Sequence, residues 1–412
     1  MLAAFLAVGY ILSDLLPLPA TVSPFLILSA LLSLVAAVRL REGLKALSAY
    51  GLFFILLGLL RAPLPEVDSF LFPSISAWGT KFSHSLQLRI RSVGLPEDVA
   101  ALLEALLLGV RTHLPAHVKQ LYRLSGAAHL LALSGLHLTL LFGFFYFFLC
   151  RLLDSRWCIP TALSGLVLMW GYVLLTGCPV SLCRASLMFS LLFLGLMRDG
   201  GSNSWHNLGL AALLILLLTP SALYDVGFRL SFTSVAGILL FCRPLSDLCP
   251  FRERWKWLHW LWDAWMVALS AQLGVLPFLL YHFHAFSFWG ILFSPLYVCL
   301  TACIIFISLF LLLFFPFAVV AWLRSLLLLL VAVQYSVMES AVRLPFTQVE
   351  VVSFSFVHVV LLYAALLCLL PPLMAIRPDG HASSLHRAAL FFRSWPYLLS
   401  FLILLLGVIF IP

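Results

Sequence analysis

The chain has 412 residues, of which 63% are hydrophobic and only 10% charged, where a soluble protein carries roughly 25% charged residues. That composition excludes an assembly of water-soluble domains, and apolar runs approaching the roughly 20 residues that cross a bilayer recur from end to end. The formal net charge of +8 is not by itself a nucleic-acid footprint, because Lys and Arg gather on the cytoplasmic loops of membrane proteins for reasons of insertion.

In chain order, apolar spans are read near 2–16, 22–38, 46–60, 130–150, 159–176, 184–197, 205–219, 227–242, 257–281, 295–315, 317–338, 354–376 and 395–411. The first positive charge is Arg39, so the opening run lacks a basic n-region and reads as a retained span, not a cleaved signal. Residues 61–80 show no clear period and read as an extended external connector. The Leu-Pro-Glu-Asp start and Ala/Leu-rich run of 95–110 predict a helix opening at Pro96 with acids in its first turn. That helix is short for a span and belongs in the interface or against the bundle. Between Phe286 and Val333 the run is almost uniformly apolar, with cuts expected at Pro295 and Pro316, since proline removes a backbone donor. The fold class is therefore an all-α polytopic membrane protein of about 11–13 transmembrane helices, a bundle with short or broken helices around a polar cavity. Four segments follow: N-terminal helices over 1–60, the connector over 61–96, a transmembrane core over 97–300 and C-terminal helices over 301–412.

A cytoplasmic N-terminus puts Arg39, Arg41, Lys45, Arg151, Arg156, Arg198, Arg243, Arg252, Arg254, Lys256, Arg324, Arg377, Arg387 and Arg393 inside. The opposite loops around Gly177, Pro220 and Ala285 are nearly free of basic residues, as the positive-inside bias requires. What remains outside is Lys81, Arg89, Arg91, Arg111, Lys119 and Arg123. The nine cysteines include no Cys-x-x-Cys pair, which argues against a zinc ribbon or disulfide scaffold. Cys178 and Cys183 flank Pro179 and would bridge only in an oxidising compartment.

Polar residues inside apolar runs are costly in a bilayer and mark the informative positions. The first cluster runs Ser125-Gly-Ala-Ala-His129-Leu-Leu-Ala-Leu-Ser134-Gly135-Leu-His137. On an unbroken helix His129 and His137 stand roughly 80° apart. The cluster is read either as close-packing glue between helices, as a polar pathway, or as the Ser/His centre of a membrane-embedded enzyme, though no Gly-x-Ser-x-Gly elbow accompanies it. Arg184 opens an apolar helix and either snorkels to the interface or faces a polar cavity. Asp225 and Arg229 stand four apart, the spacing of an ion pair on one helix face, and Ser231 follows on the same span. A fourth stretch carries Gln272, Pro277 and the His282-Phe-His284 string. With no third or fourth ligand nearby, His282 reads as part of an aromatic turn at the interface. None of the four lysines belongs to a Walker A sequence, and no His-Glu-x-x-His or dinucleotide fingerprint occurs. No cofactor and no metal are expected, and the chain is read as a non-enzyme.

Taken in order, Ala105-Leu-Leu-Leu-Gly109-Val-Arg111, the Ser125–His137 string, Arg184-Ala, Asp225-Val-Gly-Phe-Arg-Leu-Ser231 and Gln272-Leu-Gly-Val-Leu-Pro277 with Tyr281–Phe286 resemble the competence domain of the ComEC family. That family is associated with DNA uptake in bacterial transformation. The resemblance covers roughly residues 85–300. It implies a bacterial inner-membrane channel for a single DNA strand, surrounded by lipid and served by a separate DNA receptor, nuclease and motor. Arg111, His129, Ser134, Gly135, His137, Arg184, Asp225, Arg229, Ser231, Gln272 and His282 are the implied path-lining positions. Many members also carry an external OB-type domain and a metallo-β-lactamase-like domain; the interval from Arg61 to Glu97 is too short for the first, the His-x-His-x-Asp-His string of the second does not occur in these residues, and Phe293-Ser294-Pro295 stands where the family usually has Asn. Alternatives are a small-solute or lipid-linked transporter on the same fold, or an enzyme using His129, Ser134 or His137.

Overall fold

The computed structural model describes residues 73–152, 158–197, 204–249, 256–314, 320–345, 347–351 and 353–375, with isolated positions elsewhere. The spans read near 2–16, 22–38, 46–60 and 395–411, apart from such isolated positions, lie outside the described residues.

Each of the apolar runs between 130 and 376 is helical. The helices are α1 (Pro73–Ser92), α2 (Glu97–Leu108), α3 (Ala116–Leu124), α4 (Gly135–Leu152), α5 (Cys158–Leu175), α6 (Val180–Met197), α7 (Ser204–Leu218), α8 (Val226–Ser246), α9 (Lys256–Phe283), α10 (Phe288–Leu313), α11 (Val320–Val342), α12 (Phe356–Cys368) and α13 (Leu370–Ala375). Short 3-10 turns at Ala128–Leu131 and Pro220–Tyr224 precede α4 and α8. Among the described residues the only sheet is an antiparallel pair, β1 (Ala285–Phe286) with β2 (Val349–Glu350), in the register Ala285–Glu350 and Phe286–Val349.

Among the described residues five helical stretches are long and apolar enough to cross a membrane: Val226–Ser246, Leu258–Phe283, Phe288–Leu313, Ala321–Val342 and Phe356–Leu373. Leu163–Leu175, Val180–Phe193 and Ser204–Leu218 are apolar but shorter. Large side chains such as Val167, Leu313, Trp260 and Trp322 are exposed on these helices, the surface expected of a protein solvated by lipid. The chain is an all-α polytopic membrane protein.

Two expectations are corrected. The connector read as extended over 61–80 is helical from Pro73, because Gly79, Ser83, Leu86, Ile90 and Val93 repeat every three or four residues and form the buried or half-buried side of α1. Small and polar residues at two of those positions hid the period. Pro295 does not cut the apolar run either, since α10 begins at Phe288 and continues through it. The Ser287 hydroxyl caps this helix by accepting from the Gly290 N–H at 3.2 Å. Membrane helices tolerate such a proline where neighbouring helices support the turn.

Two compact units are distinguished, one formed by residues 1–80 and 153–229, the other by 81–152 and 230–412. In the second, α2 is buried along its whole length from Val99 to Leu108, so it packs against the bundle and does not lie in the interface. Its leucines share a core with Ile90, Val118, Tyr122, Tyr297, Ile304, Leu327, Val331 and Met338. A buried Gln334 donates to the Thr301 hydroxyl at 3.0 Å, joining α11 to α10 where no water competes for the bond.

Where α8 crosses α9 at Gly237 and Gly274, the two helices meet backbone to backbone. A Cβ on Gly237 would strike the Ser270 carbonyl, and one on Gly274 would strike the Thr233 carbonyl. Close approach of this kind is how membrane helices gain packing without a hydrophobic drive. The Tyr363 hydroxyl of α12 donates to the Gly274 carbonyl at 2.8 Å. Gly274→Ala should therefore destabilise the protein by about 1–3 kcal/mol, the usual cost of overpacking. A melting temperature in detergent that does not fall below wild type would contradict the crossing.

Candidate functional site

The unit formed by 1–80 and 153–229 carries one buried charge pair. Arg184, in the first turns of α6, has only 6% of its side chain exposed, and it donates from one terminal nitrogen to the Asp225 carboxylate, which is 47% exposed. Asp225 is not on the α8 helix. It is extended just before Val226 and accepts from the Phe228 N–H at 3.0 Å, as an N-capping carboxylate does. The expected Asp225–Arg229 pair across one helix face is thus replaced: four-residue spacing aligns two side chains only when both are helical. The Arg229 Nε donates instead to the Leu223 carbonyl at 3.0 Å, with its guanidinium 5.9 Å from the centre of the Tyr224 ring. Gly227 gives Arg184 its room, since a Cβ there would stand 2.6 Å from a guanidinium nitrogen. The Arg184 Nε has no hydrogen-bond partner among the described residues.

In the other unit, the Ser125–His137 string is folded as a tight turn, a 3-10 segment and then α4. Gly126 adopts φ +79°, a left-handed conformation that favours glycine, and a Cβ on it would lie 2.7 Å from the Gly290 Cα. The Ser287 hydroxyl also donates to the Leu124 carbonyl at 3.4 Å, so the start of α10 seats against this turn. His129 is exposed, with Nδ1 donating to the Gly126 carbonyl at 3.2 Å. Ser134 Oγ lies 3.4 Å from His137 Nδ1. His137 itself is 1% exposed, and its Nε2 is without a hydrogen-bond partner among the described residues. Gly135 begins α4, and its carbonyl accepts from the Thr139 hydroxyl at 2.8 Å. The break before α4 puts His129 on the turn and His137 inside the helix, so the two do not stand on one continuous helix.

The remaining predicted positions are placed singly. Arg111 is exposed on the loop after α2, while Ser231 on α8 and Gln272 and His282 on α9 are half-buried. The His282 ring stands 4.9 Å from Tyr281 and 6.3 Å from Phe278. Among the described residues no three His, Cys, Asp or Glu side chains are grouped to hold a metal ion. Cys178 and Cys183 are not joined by a disulfide.

An acid with no exposed surface escaped the sequence reading. Glu104 sits in the apolar α2 with no exposed surface, yet both its oxygens are engaged. Arg91 Nε donates to Oε1 at 2.8 Å, an Arg91 terminal nitrogen lies 3.4 Å from Oε2, and His113 Nδ1 lies 2.8 Å from Oε2. Gly109, left-handed at φ +74°, ends α2 and turns the chain so that His113 comes back beside Glu104. The Arg91 pKa is raised above its ordinary value, chiefly by the hydrogen bond to Glu104 and then by its charge. A single Glu inside Ala-Ala-Leu-Leu-Glu-Ala-Leu-Leu-Leu, with basic residues on both flanks, was the available signal.

Residues 106–375 match the model of the family described as Competence protein. The chain belongs to this competence protein family. The match takes in the Ser125–His137 turn, the Arg184–Asp225 pair and the α8–α9 crossing. Among curated proteins, the chain is 33% identical over 193 residues to ComE operon protein 3 of Bacillus subtilis, covering 47% of this chain and 24% of that protein. It is 30% identical over 174 residues to competence protein ComA of Neisseria gonorrhoeae, covering 41% of this chain and 25% of that protein. The match therefore spans about a quarter of each relative's length. No solved structure matches.

The competence-family pair Arg184–Asp225 has an asymmetric energetic signature. Asp225→Ala strands a buried guanidinium and removes a helix cap, and should cost about 3 kcal/mol, the low end for breaking a buried pair because Asp225 is itself half exposed. Arg184→Met removes the buried charge and should cost less. Equal melting temperatures for the two variants would contradict this arrangement.

Proposed function

We propose that the chain forms a multi-pass channel in the bacterial inner membrane that passes single-stranded DNA during transformation. Membership of the competence family supports the link to DNA uptake, and the names of the two relatives agree with it. The observation that carries the reading to DNA itself is the surface of residues 81–123. There Lys81, Arg89, Arg91, Arg111, Lys119 and Arg123 are all exposed, whereas of the three acids one, Glu104, is buried and already paired. On α3, His117, Lys119 and Arg123 face outward while Val118 and Tyr122 are buried. A basic surface beside membrane helices is what draws a polyanion to a passage. Partners that bind duplex DNA, degrade one strand and drive the other would be separate proteins.

Arg184, Arg229 and the polar residues around His137 are the path-lining candidates. The enzyme alternative is less favoured by the site's chemistry. A Ser–His catalytic pair needs the second imidazole nitrogen oriented by a third group, and among the described residues none is hydrogen-bonded to His137 Nε2. The 3.4 Å Ser134–His137 separation is also long for a nucleophile–base bond.

Labelled-DNA internalisation tests the reading. A clean deletion should abolish uptake of DNA into the cytoplasm while leaving surface-bound DNA in place, and His137→Ala or Arg184→Ala should lower uptake at normal membrane levels of the protein. Normal transformation in the deletion strain would overturn the role. Ser134→Ala should retain uptake, since no acyl-transfer chemistry is assigned to it; complete loss with intact folding would favour the enzyme alternative.

A further inference from the structure

Glu104 is the acid of residues 81–123 with no exposed surface, and its burial organises the two basic groups around it. A carboxylate in an aliphatic helix is tolerable only if its charge is matched and its lone pairs are filled. Arg91 from the end of α1 and His113 from the loop after α2 do both. Because an ionised carboxylate can only accept, His113 must carry its proton on Nδ1, and this leaves Nε2 directed away from Glu104. Arg91 likewise spends Nε and one terminal nitrogen on Glu104, leaving the other terminal nitrogen uncommitted. The two side chains are 50% and 46% exposed while the acid between them is 0% exposed. The result is a fixed guanidinium edge that donates, with an imidazole nitrogen beside it that donates when the ring is cationic, both held at the surface by a shared internal anchor. The loop carrying His113 is itself fixed, since Leu114 beside it is buried in the same core as α2.

We propose that Arg91 and His113 form one contact for a phosphodiester of the DNA backbone, with Glu104 as their positioning residue. This rests on the DNA-channel reading and narrows it from a diffuse basic surface to a preorganised site. A guanidinium whose other edge is already anchored binds phosphate without giving up further side-chain freedom. In its cationic form the imidazole can donate through Nδ1 to the carboxylate and through Nε2 to the phosphate. Neither group reads a base edge, so the contact is indifferent to sequence. The surrounding Arg111, Lys119 and Arg123 add charge, but among the described residues no buried partner orients them in this way.

The test uses the full chain in lipid nanodiscs and a fluorescein-labelled single-stranded oligo-dT, with binding followed by anisotropy from low to moderate KCl. His113→Asn keeps a donor near the position of Nδ1 for Glu104 and removes Nε2. The double variant Arg91→Gln with Glu104→Gln removes the surface cation without stranding a buried anion. Each should keep the wild-type melting temperature to within a few degrees, weaken binding about tenfold at low salt and reduce the slope of log affinity against log salt by about 0.7, the value for one lost single-strand phosphate contact. Oligo-dA should show the same losses. If either folded variant keeps the wild-type affinity and slope, the site is overturned while the channel reading stands. If the wild-type chain does not bind single-stranded DNA, both fall together. Should the double variant fail to fold, His113→Asn decides alone.

Discussion

A charge taken into an apolar bundle has to bring its partner with it, and the described architecture is arranged around two such cases. Arg184 is enclosed in one unit, and its counter-charge comes from the residue that caps the next helix, not from a neighbour on its own. Glu104 is enclosed in the other, and its partners arrive from the end of one helix and from a loop. In both, ionic bonding and backbone geometry are the same event: Asp225 satisfies an orphan amide of α8 while neutralising Arg184, and the Gly109 turn that ends α2 also delivers His113. Losing either pair would therefore disturb chain direction as well as charge balance, because the partners are drawn from the points where helices start and stop.

The helices were legible because hydrophobic length is a coarse signal that tertiary context seldom overrides in a membrane protein. The start of α1 was missed for a local reason: glycine and serine occupy buried positions of its period, and a hydrophobicity pattern does not register them. Pro295 misled in the opposite direction, since the rule that proline ends helices assumes water on the outside. For the site, residue types were more legible than partnerships. Arg184, Asp225 and Arg229 were all singled out, yet the ion pair joins residues 41 positions apart, a relation that spacing cannot reveal. The Ser134–His137 contact was accessible because it is local. Glu104 was passed over because the eye follows polar clusters, whereas this acid stands alone in sequence and finds its company only in three dimensions.

The family relationship gives these details a common setting. The matched region runs from within α2 to α13, so the charge pair, the histidine turn and the glycine crossing all belong to the part shared with competence proteins. The alignments to ComE operon protein 3 and to competence protein ComA each take in about a quarter of that relative. The features described here are thus those a membrane-embedded competence module supplies by its own chain.

Gly274 has a mechanical consequence. It is touched by α8 through Gly237 and held by α12 through the Tyr363 hydroxyl, so three helices meet at a residue without a side chain. Sliding α8 along α9 by one turn would drive the Gly237 backbone toward Phe278 or Ser270, and only glycine leaves the needed clearance. Gly274 thus acts as a latch, fixing the axial register of α8, α9 and α12 at a single point.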